Sequence, residues 1–246
     1  MSLIPAGEFL MGTDEVDQEN LAVEIGLPTP FYQDEHPLHR VRLPSFYLDR
    51  HEVTNAEYKQ FVDAVGRRVP DDWLDGSFPA GKENFPVIYV NWYDANDYCR
   101  WKGKRLPTEE EWEKAARGPG GLKYPWGNIF SPDKAHIAGG AVMFGSPKPV
   151  GQYKEGKSPY GVLDLIGNVW EWTHSWYLPY EGNRIQKKSF GQVFRVTKGL
   201  SFMSVGHYDK DTHLRAVEVI ARSSFRSFDD PSSRLADLGF RCAKAA

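Results

Sequence analysis

The chain has 246 residues, with 30 Lys and Arg against 33 Asp and Glu, a formal net charge of −3, and 41% hydrophobic residues. That composition supplies a core but lacks the basic excess that phosphate affinity demands, which excludes a nucleic-acid binder. No apolar run reaches the roughly 18–20 residues of a bilayer-spanning helix, so no membrane partner is expected.

Eight Trp, 12 Tyr and 14 Phe stand beside 23 Gly and 17 Pro, a mixture that predicts long irregular loops pinned by large rings. Two cysteines, Cys99 and Cys242, are too few for a disulfide scaffold or an all-cysteine zinc site. After Met1 the chain runs directly into Leu3, Ile4 and Pro5 without a charged segment or apolar stretch typical of a leader. The sequence as it stands therefore implies a cytoplasmic protein, unless a longer natural chain has been shortened.

In chain order, Glu8, Phe9, Leu10 and Met11 predict a strand, and residues 41–43 and 46–48 predict further strand segments. Thr54 and Glu57 form a capping box, and Tyr58, Phe61, Val62 and Val65 recur at helical spacing until Gly66 stops the helix. Asn91 caps a second helix with Trp92, Ala95 and Cys99 on its buried stripe, ending near Gly103. Thr108 and Glu111 box a third, with Trp112, Ala115 and Ala116 facing inward and Gly118 as the stop. Its three leading glutamates, Glu109, Glu110 and Glu111, suit the helix dipole. Residues 193–196 and 238–242 read as strands near the C-terminus. Residues 14–37 and 119–159 carry turn residues without periodicity, and segments that long are usually functional. No repeat or linker divides the chain, so one domain over residues 1–246 is expected.

Seven segments follow one another in a familiar order: Ile4 to Gly12, Tyr47 to Asn55, Pro86 to Trp92, Gly103 to Trp112, Tyr124 to Gly127, Gly167 to Trp172, and Gly239 to Cys242. Together they resemble the formylglycine-generating enzyme (sulfatase-modifying factor) family over essentially the whole chain. The resemblance implies an α+β, irregular C-type-lectin-like fold with low regular secondary structure and structural calcium. In the oxidase branch, two cysteines after an Arg-Gly-Gly-Ser-Trp motif bind copper and oxidise a substrate cysteine. Here the motif reads Lys198-Gly199-Leu200-Ser201-Phe202, Ser204 stands in the place of the first cysteine, and no cysteine lies between Phe202 and Arg241. A serine hydroxyl is neither a soft anionic ligand nor a redox group. Formylglycine generation is therefore the least supported activity.

The family bridges cysteines at the places of Cys99 and Cys242, whereas two buried free thiols are the alternative, favoured in a cytosolic protein. The resemblance also implies a calcium site made of the Asp164 and Glu171 carboxylates with the carbonyls of Gly167 and Val169, a donor set suited to a hard cation. The bland alternative is that Glu171 bonds nearby backbone while Trp170 and Trp172 pack. His207, Asp209 and His213 offer a 2-His-1-carboxylate set for non-haem iron, although family relatives that use iron place its ligands in a separate helical segment. A solvated polar loop explains the same stretch. His174, after the calcium motif, reads as a packed or groove-lining residue. Finally, residues 201–234 hold Met203, Ser204, His207, Tyr208, Phe225, Arg226, Phe228 and Arg234, residue types enriched at interfaces. The leading expectation is a non-oxidase, calcium-stabilised module that binds a peptide, glycan or protein through residues 201–234. The alternative is an iron-dependent oxidoreductase that tailors a peptide or siderophore.

Overall fold

The computed structural model describes residues 1–27, 30–137, 145–203, 205–206 and 208–246. The three boxed helices form where their caps place them: α2 over Asn55–Val65, α3 over Trp92–Trp101 and α4 over Glu109–Arg117. Each cap is reciprocal, because the N3 carboxylate (Glu57, Asp94 or Glu111) returns a bond to the cap residue's own N–H. Gly66 ends α2 at φ 68°, a left-handed position that a side chain disfavours. Tyr58, Phe61 and Val62 are buried as expected, while Val65 at the end of the stripe is 50% exposed.

Among the described residues, nine short strands make three small sheets. β1 (Ser2–Ile4), β4 (Phe46–Leu48) and β9 (Ala243–Ala245) form one, in the order β1-β4-β9. β2 (Gly7–Met11) and β3 (His39–Leu43) form an antiparallel ribbon. The third sheet has the order β7-β6-β5-β8, from Ser227–Asp229, Arg195–Lys198, Trp170–Trp176 and Leu238–Gly239. Only β5 and β8 run parallel in it. The expected strand at 193–196 starts two residues later, and of the one at 238–242 only Leu238–Gly239 is strand, with β9 beginning after it at Ala243.

β5 escapes a period-2 reading because its middle is covered on both faces: Glu171, Trp172 and Thr173 are all buried. Two helices were also unforeseen, the single turn α1 (Leu21–Glu24) and α5 (Lys210–Ile220). They pack together over Leu21, Ala22, Ile25 and Ala216, so much of the expected polar loop is a helix with a buried face.

Cys99 and Cys242 are disulfide-bonded and wholly buried among Tyr58, Phe61, Tyr98 and Phe240. The bridge fastens α3 to the C-terminal segment. Among the described residues, no helix is long and apolar enough to cross a membrane.

Candidate functional site

α4 is the hub of the polar interior, since Glu109, Glu111, Glu113, Lys114 and Arg117 are all buried. Charges in that position require partners, and each of these carboxylates has one, for Glu109 and Glu113 from a distant segment. Glu111 takes both terminal nitrogens of Arg105 at 2.6 Å. Glu113 lies between Arg117 at 2.9 Å and the fully buried Lys198 at 3.3 Å, and also accepts the Gly12 N–H. Glu109 binds Nε of Arg226 at 2.7 Å and Nη2 at 3.0 Å. The segment that follows Lys198 is therefore anchored from below by ion pairs on one helix.

Backbone geometry fixes that segment as well. Gly199 sits at φ 106°, and a Cβ there would lie 2.7 Å from the Leu165 carbonyl. Leu200, where the oxidase motif has its second glycine, is held at φ 64° with its side chain 1% exposed. Burial of a leucine side chain offsets the steric cost of a left-handed non-glycine residue.

Of the expected calcium ligands, Asp164 and Glu171 both bond Arg241. Glu171 is fully buried and accepts from Arg241 Nε at 2.7 Å, Arg241 Nη2 at 2.6 Å and Trp112 Nε1 at 2.9 Å. Asp164 accepts the Gly151 N–H through its side chain, and its own carbonyl accepts from Arg241. Among the described residues, no group of three His, Cys, Asp or Glu could hold a metal. Both Glu171 oxygens already face the Arg241 guanidinium, which supplies the positive charge that a cation would otherwise bring.

A third carboxylate, Glu52, joins the cluster unforeseen. Its Oε1 accepts from Asn168 at 2.9 Å, while its buried Oε2 has no partner among the described residues. Burial, and then the charge of Asp164, push the Glu52 carboxyl well above its ordinary range. A raised carboxyl pKa means that the folded state keeps a proton the unfolded chain releases. The associated stability is present below the unfolded value and is lost as pH rises through the folded one. Glu52→Gln keeps the Asn168 bond and removes the charge. It should melt above the wild type at about pH 8 and together with it at about pH 4. Parallel melting across that range would place the titration elsewhere. Chelation with EGTA is expected to leave both melting temperatures unchanged; a fall would show a cation in the cluster.

The proposed iron set does not assemble around the described residues. Asp209 is exposed and uses Oδ1 to accept the Asp211 and Thr212 N–H groups at the start of α5. His213, one turn later, is 1% exposed on the inward side of the helix. His207 and Ser204 lie outside the described residues.

The display surface needs a larger correction. Arg226 is 4% exposed and, besides Glu109, donates to the carbonyls of Asp34 and Leu178. Phe228 stacks on Tyr177 at 4.3 Å, and Phe225 meets Phe31 and Trp170. The Tyr208 hydroxyl donates to the Ile25 carbonyl, and Arg234 pairs with the buried Asp94. These rings and guanidinium groups hold the 201–234 segment onto the framework.

At the start of that segment a groove of about 260 Å³ opens beside Phe202, walled by Phe85, Pro86, Ile88, Tyr89 and Pro147. Phe202 is fixed by stacking on His136 at 6.2 Å and by the close approach of Gly145. Two acceptors on the groove wall, Asn55 Oδ1 and Asp72 Oδ1, are buried without a hydrogen-bond partner among the described residues. Buried orphan acceptors are uncommon in folded proteins and call for a donor. Asn55 and Asp72 were missed in the sequence because α2 and the loop after it meet only in the tertiary structure.

Short sheets, boxed helices and long pinned loops around a buried Arg–carboxylate centre define a C-type-lectin-like domain of the formylglycine-generating-enzyme type. The chain belongs to the family described as sulfatase-modifying factor enzyme 1-like domain, which matches residues 1–246. It is 33% identical to the inactive C-alpha-formylglycine-generating enzyme 2 of Bos taurus, across 100% of this chain and 88% of that one. It is 32% identical to the formylglycine-generating enzyme of Streptomyces coelicolor, across 99% and 88% of the two chains. Among solved structures it resembles PvdO from Pseudomonas aeruginosa, with a TM-score of 0.71, 27% identity, and 99% and 93% of the chains covered.

Proposed function

We propose that this chain is a family member without formylglycine-generating activity that binds a peptide, glycan or protein partner in the groove beside Phe202. The observation that carries this reading is the fate of sulfur. The sequence has two cysteines, and they are bonded to each other in the core, so no thiol is left to ligate copper or exchange with a substrate. Family membership agrees with either outcome, since similar relatives include one named inactive and one named for the activity. The groove supplies what a binding module needs: apolar walls for side chains, and two unpartnered acceptors for N–H groups of a ligand. The function thus moves from the covered face of 201–234 to the groove at its start.

Two measurements test this together. A Cys-x-Pro-x-Arg peptide incubated with the protein and copper should keep its mass; conversion of its thiol to an aldehyde would end the non-oxidase reading. Peptides selected from a displayed library on the wild type should lose about tenfold or more in affinity for Asp72→Ala, the cost of one hydrogen bond to a charged group. Equal binding to both forms would remove the groove from consideration.

A further inference from the structure

On another face, β5 and β6 lose their regular register between Trp172 and Trp176. Irregularities of this kind re-aim side chains and are frequent near functional sites. Here the break leaves His174 exposed and brings Arg195 of β6 against two indoles. The Arg195 guanidinium carbon lies 3.9 Å from the Trp92 ring centroid and 3.3 Å from that of Trp176.

Arg195 is 8% exposed, and its Nε is buried without a partner. Among the described residues its one hydrogen bond runs from Nη1 to the His174 carbonyl at 2.5 Å. No carboxylate pairs with it, although every Asp and Glu of the chain is described. Asp229, its register partner on β7, is not a hidden counter-ion: burial and Asp237 push its carboxyl up to about 6, the opposite of what pairing with a guanidinium would do.

The surroundings add positive charge. Burial, and then the charges of Arg195, Arg105 and Arg100, hold the His174 imidazole below its usual range. Of these, Arg105 is bound to Glu111, while Arg100 is exposed at the end of α3. Contacts with two aromatic faces recover part of the desolvation cost of a guanidinium, yet buried charges are ordinarily matched by an opposite charge. Elsewhere in this molecule the buried guanidinium groups of Arg222, Arg226 and Arg241 each have a carboxylate.

We infer that Arg195, with His174 beside it, is a binding site for a small oxyanion group, a phosphate or a carboxylate, at the rim of Trp92 and Trp176. None of these residues lines the groove beside Phe202, so the site is independent of the function proposed above. The guanidinium would donate to the anion through its terminal nitrogens, and the indoles would report the event.

Titration of the whole protein with sodium phosphate and with sodium acetate, each against sodium chloride at matched ionic strength, tests this by tryptophan fluorescence and melting temperature. At least one oxyanion should give a saturable fluorescence change and a higher melting temperature where chloride gives neither, and the more effective salt identifies the group. His174→Glu places an internal carboxylate at an exposed position. It should weaken the response at least about tenfold, as expected for occupation by a tethered charge, while the protein still melts cooperatively. Arg195→Met, which keeps an apolar contact with the indoles, should abolish the response. A wild type that responds to phosphate, acetate and chloride alike, or a response unchanged in His174→Glu, overturns the site.

Discussion

Replacing both cysteines, Cys99→Ser with Cys242→Ser, should lower unfolding stability by about 5 kcal/mol, the chain-entropy value for a loop of this length. The two residues are 143 positions apart, so the bridge restricts more than half of the unfolded chain. Both are 0% exposed in a largely apolar cluster with Tyr58, Tyr98 and Phe240, so the replacement buries two hydroxyls. The folded state is thus weakened by two buried hydroxyls at the same time as the unfolded state gains freedom. In guanidinium unfolding, wild type under reductant should show a lowered midpoint, and the variant a midpoint lowered at least as far because it also buries the two hydroxyls. Coincident wild-type curves with and without reductant would mean that the bridge is absent in solution. The same experiment bears on function, because only a reduced pair could offer this chain a thiol.

Arg226→Ala should cost about 3–5 kcal/mol, the usual penalty for stranding one member of a buried ion pair. The Arg226 and Glu109 side chains are 1% and 3% exposed. Removing the guanidinium also frees the Asp34 and Leu178 carbonyls and uncovers the Tyr180 ring, over which the guanidinium carbon lies at 4.1 Å. For a chain of this size, a loss of that order lowers the melting temperature by roughly 10 °C. Arg226→Lys should recover only part of it, since an ammonium cannot reproduce the fork on Glu109. A melting temperature within about 2 °C of wild type would show that Arg226 is free in solution, and would restore it to a ligand-binding surface.

The contrast between these residues shows what was legible. The three boxed helices follow from groups within four positions of one another: Thr54 with Glu57, Asn91 with Asp94, and Thr108 with Glu111. Short-range bonds of this kind form in the same way whatever surrounds them, so sequence reading located them to within a residue or two. α5 has no boxed start: Asp209 caps it alone, and its polar residues concealed a buried face formed by His213, Ala216 and Val217. The family resemblance rested on segments spread over the whole chain and needed no contact information.

The chemistry of the site was less accessible, because exposure and pairing are properties of distant neighbours. Arg226 and Arg195 carry the same charge in sequence, yet one meets Glu109 across 117 positions while the other faces Trp92 and Trp176 without a carboxylate. Glu171 is a plausible cation ligand until Arg241, 70 positions away, occupies both of its oxygens. The sequence by itself determined the family, the local helix boundaries and the lack of a cysteine at the place of Ser204. Only the tertiary structure decided which charges are paired and which acceptors stay unpaired, and that the two cysteines consume each other. Those outcomes depend on the through-space partner and its desolvation, which no local pattern encodes.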